Sequence, residues 1–175
     1  MVLTTIVVTA SDPTDPTIAV ERLYKLAQRS GMAQLDFDPD EYDFHCDICD
    51  THVLKNTKHC QRCNRCTYEF DHHCVWLSND IGLHNYAEFF RMLVAVLCTI
   101  LSQIAFSIYT LVFAYRIDSD DDAEIGFMTR SSMIALTWVN LVVCLILLLL
   151  DTYLVTYHTY LICNNLTTYK HIRKQ

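Results

Sequence analysis

The chain has 175 residues, of which 52% are hydrophobic, and a formal net charge of −7 at pH 7. This length accommodates one small domain together with membrane segments. The negative charge disfavours nucleic acid as a partner, because binding to phosphates requires a basic surface. Nine cysteines could indicate a secreted disulfide framework, but their ligand-like spacing favours reduced thiols facing a cytosol.

The amino-terminal arm, residues 1–44, begins with a short apolar segment followed by two prolines. Residues 1–10 are apolar and rich in β-branched side chains, but they are too few to cross a bilayer. They also lack the basic segment and cleavage site of a signal peptide. Pro13 and Pro16 exclude a continuous helix through the next residues, because each proline favours an extended conformation in its predecessor.

The rest of the arm predicts one helix and one linker. The apolar spacing predicts an amphipathic helix over Ile18–Ser30, with Thr17 as its amino-terminal cap and Gly31 as its stop. This helix would lie on a membrane or against the neighbouring domain. Residues 36–43 are acidic and contain a proline, which predicts a solvated loop.

The densest pattern in the chain is a run of cysteines and histidines within residues 45–91. The first candidates for metal ligands are Cys46, Cys49, His59, Cys60, Cys63 and Cys66. Cysteines separated by two residues let two thiolates reach one tetrahedral Zn²⁺, and further cysteine or histidine side chains complete the four ligands. The run therefore predicts metal binding, within a domain of short hairpins and loops.

Four residues separate the last of these cysteines from the tetrad Asp71-His72-His73-Cys74. A cysteine beside a histidine can become a thiolate nucleophile, and a neighbouring acid can fix the tautomer and orientation of the histidine. Asp71, His72 and Cys74 supply these three groups. The alternative is that both histidines and Cys74 are zinc ligands only, and the spacing alone does not separate the two interpretations.

Two long apolar segments follow the cysteine-rich stretch. Residues 92–115 form an uncharged run of 24 residues, or about 36 Å of helix, which is enough to cross a bilayer. Residues 133–155 are equally apolar. Two runs of this length make the alternative interpretation, two buried helices of a soluble protein, improbable. The connecting loop, residues 116–132, is acidic and the outer flanks are basic. The positive-inside rule therefore places the zinc domain and the tail, residues 156–175, in the cytosol.

The cysteine-rich stretch resembles a known family. The spacing from Cys46 to Asn79, continued by Gly82, Asn85 and Phe89, is similar to the cysteine-rich domain of the DHHC-type protein S-acyltransferases, or palmitoyltransferases. The resemblance implies two interleaved zinc sites. By position, the first site would consist of Cys46, Cys49, His59 and Cys66. The second would consist of Cys60, Cys63, His73 and Asp80.

The resemblance also implies an activity. Cys74 would take an acyl group from acyl-CoA such as palmitoyl-CoA, with His72 as the base and Asp71 as the orienting acid. The thioester would then pass to a cysteine of a protein substrate. The implied cofactors and partners are two zinc ions, acyl-CoA, proteins with acceptor cysteines and membrane lipid, with no nucleic acid. The protein would reside in an endomembrane, such as the Golgi or ER, or in the plasma membrane.

Three positions depart from the family pattern. Val75 follows the tetrad where the family usually has proline. Asp80 stands where the family usually supplies a cysteine ligand; since a carboxylate is a harder ligand than a thiolate, we expect a weaker second site. His84 is another possible substitute, but it is four residues out of register. Residues 167–170 read Thr-Thr-Tyr-Lys, where the family carries Thr-Thr-x-Glu.

These observations predict a mainly α-helical integral membrane protein with two transmembrane helices and a small zinc-bound cytosolic domain. The leading hypothesis is a protein S-palmitoyltransferase. The alternative is a catalytically impaired DHHC-like membrane adaptor, or an incomplete fragment of such an enzyme. The resemblance implies that residues 1–10 are the end of a family membrane helix whose beginning is missing. The alternative interpretation is that they are a frayed terminus. A metal-folded finger that only binds partners is a third possibility, but it leaves the tetrad and the apolar segments unexplained.

Overall fold

A computed structural model describes residues 2–31, 37–42, 44–116, 124–125 and 128–174. The chain divides into two units. One unit contains Val2–Arg91 and Tyr160–Gln175, and the other contains Met92–Thr159. The cysteine-rich stretch and the tetrad both belong to the first unit.

Three two-stranded antiparallel hairpins form the centre of the first unit, as the short gaps between cysteines predict. The strands are β1 (Phe44–Cys46) with β2 (Thr51–Val53), β3 (Lys58–Cys60) with β4 (Arg65–Thr67), and β5 (His72–Cys74) with β6 (Asn79–Ile81). Every strand has three residues. Isolated hairpins of this size are marginal in water, so the unit needs other sources of stability.

Helix α1 spans Val2–Ala10 and precedes the first proline of the arm. Its carboxyl-terminal end is capped by the Asn79 side chain, whose amide donates hydrogen bonds to the carbonyls of Val8 and Ser11, both at 2.9 Å. A helix end leaves carbonyl groups without intrahelical partners, and Asn79 satisfies two acceptors here. Whether α1 belongs to a membrane helix stays a prediction.

Helix α2 spans Pro16–Ser30. The prediction that Thr17 caps this helix is wrong. Asp15 is the cap residue and accepts a hydrogen bond from the backbone N–H of Thr17, while Pro16 takes the first helical position, where a missing N–H costs nothing. The predicted stop at Gly31 is confirmed, because Gly31 has a left-handed φ of 64°.

The buried Asp15 carboxylate ties α2 to the hairpins. One of its oxygens accepts from Thr17, and the other accepts from the Leu54 N–H at 2.9 Å and the Thr57 hydroxyl at 2.5 Å. The Asp15 N–H donates to the carbonyl of Cys66 at 2.9 Å. These hydrogen bonds replace the ones that water would make to the carboxylate, and so offset the free-energy cost of burying it.

The two faces of α2 have different surroundings. Ile18 packs with Val53 and Cys66 in a small buried cluster, so one face lies against the first hairpins. Val20, Leu23 and Leu26 remain exposed. The helix therefore contacts the cysteine-rich region with only part of its apolar surface.

Helix α3 spans Tyr86–Arg116 and helix α4 spans Arg130–Cys163. Their mean hydropathies are 2.1 and 2.7, and both are long and apolar enough to cross a membrane by length and composition. Both extend beyond the predicted apolar segments at each end. Within the second unit the two helices contact each other through the Asn140 amide, which donates to the Ser107 hydroxyl at 2.9 Å.

Four short elements complete the described chain. A 3₁₀ turn covers Pro39–Glu41, and β7 (Glu124–Ile125) pairs with β8 (Met128–Thr129) between the long helices. Most of the predicted acidic loop, residues 116–132, lies outside the described residues. The last element is α5 (Thr168–Arg173), capped by Thr167.

Candidate active site and metal centres

The first predicted ligand group is brought together by the first and second hairpins. The ligand atoms of Cys46, Cys49, His59 and Cys66 all lie within 4.8 Å of one another. The His59 Nδ1 is 3.8, 3.3 and 3.7 Å from the three sulfurs in that order, and the sulfurs of Cys49 and Cys66 are 3.6 Å apart. A tetrahedral Zn²⁺ would separate a sulfur and a nitrogen ligand by about 3.5 Å and two sulfurs by about 3.8 Å. These donors fit zinc.

The second group is brought together by the second and third hairpins. The ligand atoms of Cys60, Cys63, His73 and Asp80 also lie within 4.8 Å of one another. The His73 Nδ1 is 3.8 Å from the Cys60 sulfur, 3.3 Å from the Cys63 sulfur and 2.8 Å from the Asp80 Oδ1. Around a tetrahedral Zn²⁺ a nitrogen and an oxygen ligand would be about 3.3 Å apart. The donors fit zinc, but the Asp80–His73 edge is shorter than a shared metal requires.

Asp80 is completely buried and has partners besides the cysteines. Its Oδ2 accepts a hydrogen bond from the Thr67 hydroxyl at 3.2 Å and lies 3.7 Å from the Arg65 Nε. Burial opposes ionisation of this carboxyl, but hydrogen bonds from Cys60 and His73 outweigh it and lower the pKa of Asp80. His84, the other substitute considered from the sequence, lies in neither ligand group.

One thiol in each group has a pKa that is strongly raised in the absence of metal. Burial raises the pKa of Cys66, and burial together with the neighbouring Asp80 raises the pKa of Cys63 to about 11. A soft divalent cation such as Zn²⁺ would displace the protons of these thiols on binding, and clustered thiols and imidazoles are its usual ligands.

The three hairpins form a structural repeat of 14 residues, so the interpretation of the sequence as lacking internal repeats is wrong. All three strand pairs, β1–β2, β3–β4 and β5–β6, are related by this offset. Each first strand ends in a His-Cys pair, and each turn contains a residue with positive φ. The His-Cys pairs are 45–46, 59–60 and 73–74, and the turn residues are Asp50, Asn64 and Ser78. The dipeptide His-Cys at intervals of 14 was the available signal.

The repeat explains where Cys74 lies. It occupies the position of the first cysteine in each of the other hairpins, but the second cysteine of those turns is replaced by Leu77. In the first hairpin, hydrogen bonds from the N–H groups of Ile48 and Cys49 favour the thiolate of Cys46. The N–H groups of Trp76 and Leu77 do the same for Cys74. The third hairpin therefore keeps a thiolate-stabilising turn without a second ligand.

Three of the four tetrad side chains, Asp71, His72 and Cys74, are connected by hydrogen bonds. The Asp71 Oδ2 is 2.7 Å from the His72 Nδ1, and His72 is in turn hydrogen-bonded to Cys74. Asp71 is buried, with 1% of its surface exposed, and Cys74 is 8% exposed. Because the Nδ1 of His72 is used by Asp71, its Nε2 is the atom that serves Cys74.

Thr168 completes the environment of Asp71. Its backbone N–H donates to the Asp71 Oδ1 at 2.7 Å and its hydroxyl to the Oδ2 at 2.8 Å. From the sequence, Thr168 matches a family motif, but the match predicted no contact or task for it. It lies 97 residues from Asp71 in the chain, so no local pattern could have revealed the contact.

These contacts shift the pKa values of Asp71, His72 and Cys74. Burial alone would lower the pKa of His72, but the hydrogen bonds with Asp71 and Cys74 raise it to about 9. Burial opposes ionisation of Cys74, but the hydrogen bonds with His72 and the backbone lower its pKa. The pKa of Asp71 is lowered as well, since its hydrogen bonds to His72 and Thr168 outweigh burial. The arrangement favours an imidazolium beside a thiolate.

The other two departures from the family pattern have defined places. Val75 is 65% exposed in the turn after Cys74, where its carbonyl accepts from the Ser78 N–H at 3.3 Å. Lys170 forms an ion pair with Glu69 at 2.5 Å. A cleft of about 570 Å³ lies beside the tetrad and is lined in part by His72, Tyr169 and Ile172.

The sequence comparisons agree with this geometry. The DHHC palmitoyltransferase family matches residues 40–175. The chain belongs to this family. It is 32% identical over 131 residues to probable protein S-acyltransferase 5 of Arabidopsis thaliana, covering 74% of this chain and 26% of that protein. It is also 33% identical over 129 residues to protein S-acyltransferase 8 of the same plant, covering 74% of this chain and 30% of that protein.

A vertebrate relative gives a similar match. Palmitoyltransferase ZDHHC18-B of Danio rerio is 32% identical over 129 residues, covering 74% of this chain and 32% of that protein. The chain thus spans between 26% and 32% of the length of these three relatives. The predicted family is confirmed. The predicted fold class is also confirmed: the structure of this DHHC-family chain is mainly helical, with two helices of membrane-spanning length and a cysteine/histidine region with metal-binding geometry.

Proposed function

We propose that this chain is a protein S-acyltransferase that moves a fatty acyl group from acyl-CoA to cysteines of protein substrates. The observation that carries the proposal is the hydrogen-bonded chain from Thr168 through Asp71 and His72 to Cys74. It holds a thiolate beside an imidazolium, which is the resting state of an activated cysteine nucleophile.

In the first step the Cys74 thiolate attacks the thioester carbonyl of acyl-CoA. A new carbon–sulfur bond forms to Cys74, and the bond to the CoA sulfur breaks. The departing CoA thiolate takes the proton from the Nε2 of His72, so charge and protons balance. Asp71 accepts the Nδ1–H of His72 throughout and thereby fixes the tautomer of the ring.

In the second step the now neutral His72 accepts the proton of a substrate thiol. The resulting thiolate attacks the acyl group on Cys74, and Cys74 leaves as the thiolate that the turn of Trp76 and Leu77 stabilises. His72 ends as the imidazolium with which the cycle began. In this scheme His72 acts as a base toward the substrate thiol, and as an acid toward the departing CoA thiolate.

The two ligand groups would hold two structural zinc ions. Bound metal would supply the cross-links that hairpins of three residues lack. His73 belongs to the second group and precedes Cys74, so this site would fix the strand that presents the nucleophile. Asp80 would be the weaker ligand of its site.

We further propose the placement that the sequence predicts. The basic flanks of the long helices support a cytosolic location for the hairpin unit and the tail. In that location Cys74 would meet acyl-CoA and the cysteines of cytosolic or membrane proteins. Maleimide labelling of Asp47→Cys in sealed vesicles tests the cytosolic location, since the Asp47 side chain is fully exposed. If vesicles with their cytosolic side outward were labelled at this position only after permeabilisation, the cytosolic location would be refuted.

The decisive experiment for the activity is labelling of the purified full chain with a clickable palmitoyl-CoA. A hydroxylamine-sensitive label that Cys74→Ser abolishes, while zinc content is unchanged, supports the proposal. Cys163→Ser is the matched control, because this exposed thiol lies outside the hairpins and its loss should leave the Cys74 label unchanged. No thioester on the zinc-loaded chain would favour the impaired adaptor, to which the substitutions at positions 75, 80 and 170 also point.

A further inference from the structure

Helix α5 contacts the loop between β4 and β5 through a short reversed ladder of residue pairs. Three successive residues of that segment meet three successive residues of α5 in opposite order. The pairs are Glu69 with Lys170, Phe70 with Tyr169, and Asp71 with Thr168. The first pair is ionic at 2.5 Å, the second is an edge-to-face aromatic contact with centroids 6.0 Å apart, and the third is the double hydrogen bond to the Asp71 carboxylate.

The position of α5 depends on these contacts. The helix has six residues, which is far below the length at which a helix is stable alone in water. Its cap, Thr167, satisfies the Lys170 N–H but does not attach the helix to the hairpins. The ladder makes that attachment, so its outer pair helps to determine where Thr168 lies.

The Glu69 side chain is held at both of its oxygens. Oε2 contacts the Lys170 Nζ, and Oε1 accepts from the Asn56 amide at 2.8 Å. The backbone of Glu69 is left-handed, with φ of 46°, a conformation that is unfavourable for a residue with this side chain. Both side chains of the ion pair are half-buried, at 24% and 32% exposed, so the pair is less screened than a surface salt bridge.

We propose that the Glu69–Lys170 pair is a positioning device for the active site, with a base at the position where the family motif carries an acid. The family's Thr-Thr-x-Glu sequence carries an acid where this chain has Lys170, and here the acid is supplied by Glu69 from the facing segment. The pair clamps α5 so that Thr168 holds Asp71, and Asp71 in turn orients His72. Lys170 is thus a compensated change.

This inference rests on the proposed function for its catalytic consequence, but not for its geometry. If Asp71 is released, the hydrogen bond that orients His72 weakens, and the imidazolium no longer faces Cys74 correctly. The effect should therefore appear in the reactivity of the Cys74 thiol as well as in acyl transfer.

The test uses four variants of the full chain in nanodiscs. Lys170→Glu and Glu69→Lys each place like charges opposite one another, and the double variant restores an ion pair in the opposite order. Lys174→Glu is the matched control, because it makes the same charge change near the end of α5 and has no ion pair among the described residues. For each variant the readouts are zinc content, the rate of Cys74 acylation by palmitoyl-CoA, and the pH profile of Cys74 alkylation by iodoacetamide, resolved by peptide mass spectrometry.

We expect each single reversal to slow acylation and neutral-pH alkylation of Cys74 by roughly 3- to 30-fold, which lies within the range of coupling between contacting residues. The double variant should recover to within about threefold of the wild-type rate. The control Lys174→Glu should have the same rate as the wild type. Zinc content should not change. A general folding defect would instead lower zinc content and would not be rescued by the second reversal.

Two results would overturn the inference: single reversals with wild-type alkylation profiles, or a double variant as slow as the singles. Failure of the proposed function has a different signature. In that case the wild type would form no acyl thioester, while the alkylation profiles of the four variants would still decide whether the pair positions the Cys74 site.

Discussion

Replacing Thr168 by valine isolates the contribution of one hydroxyl to the active site. Valine has nearly the same shape, so the change removes the 2.8 Å hydrogen bond to the Asp71 Oδ2 and keeps the 2.7 Å bond from the backbone N–H. A hydrogen bond to a buried charged group contributes roughly 1.5–3 kcal/mol. If all of it reached the reaction, acylation would slow by about 10- to 150-fold. Because the backbone bond remains, we expect the lower end, about tenfold.

The assay is the initial rate of thioester formation at Cys74 over a series of pH values. With one donor lost, the pKa of Asp71 should rise toward its ordinary value. The pKa of His72 should fall below about 9, because the Thr168 hydroxyl no longer fixes the position of the Asp71 Oδ2 that contacts the His72 Nδ1. The alkaline limit of the rate profile should therefore move to lower pH in Thr168→Val, and Thr168→Ser, which keeps a hydroxyl, should resemble the wild type. Equal profiles for Thr168→Val and the wild type would show that the hydroxyl does not act on the tetrad.

Three further outcomes are expected. The raised pKa of His72, to about 9, means that its charged form stabilises the fold fully below its unfolded pKa of about 6.5. This stability is lost as pH rises through about 9, so Tm should fall between pH 7 and 10. The variant His72→Gln should show a smaller fall, and an unchanged slope of Tm against pH would exclude His72 as its source. Asp80→Cys should retain its second zinc longer than the wild type against a chromogenic chelator, whereas Asp80→Ala should lose it sooner; equal release from all three would show that position 80 is not a ligand. A Cβ at Gly82 would lie 2.6 Å from a methyl of Thr67 and from a backbone carbonyl oxygen. The variant Gly82→Ala should therefore have a free energy of unfolding lower by about 1–3 kcal/mol, measured with denaturant. An unchanged unfolding midpoint would mean that the segment can shift freely.

The parts of the site that the sequence predicts are those encoded locally by rare residue types. Cysteines two residues apart can reach one metal ion almost regardless of the surrounding fold. The six cysteine and histidine candidates from Cys46 to Cys66 are therefore recognisable from their spacing alone, whereas the assignment of His73 and Asp80 and the division into two groups come from the family resemblance. The long helices are equally recognisable, since about 20 apolar residues without charges have few other structural uses.

The parts that the sequence does not predict depend on contacts between distant segments. Thr168 reaches Asp71 across 97 residues, and the Asn79 amide reaches the end of α1 across 71. The error at Thr17 has a different cause. Both Asp15 and Thr17 are good cap residues, and the preference of Pro16 for the first helical position decides between them.

The 14-residue repeat connects metal binding with the proposed chemistry. A zinc-binding hairpin must present a thiolate, so its turn directs backbone N–H groups at the first cysteine; in the first hairpin these belong to Ile48 and Cys49. A nucleophilic cysteine needs the same stabilisation but must not be captured by a metal. The third hairpin meets both requirements, because Leu77 removes the second ligand while its N–H still faces Cys74. The neighbouring ligand group, through His73, would then hold this reactive turn in place. One hairpin geometry used three times thus accounts for two candidate metal centres and one candidate nucleophile.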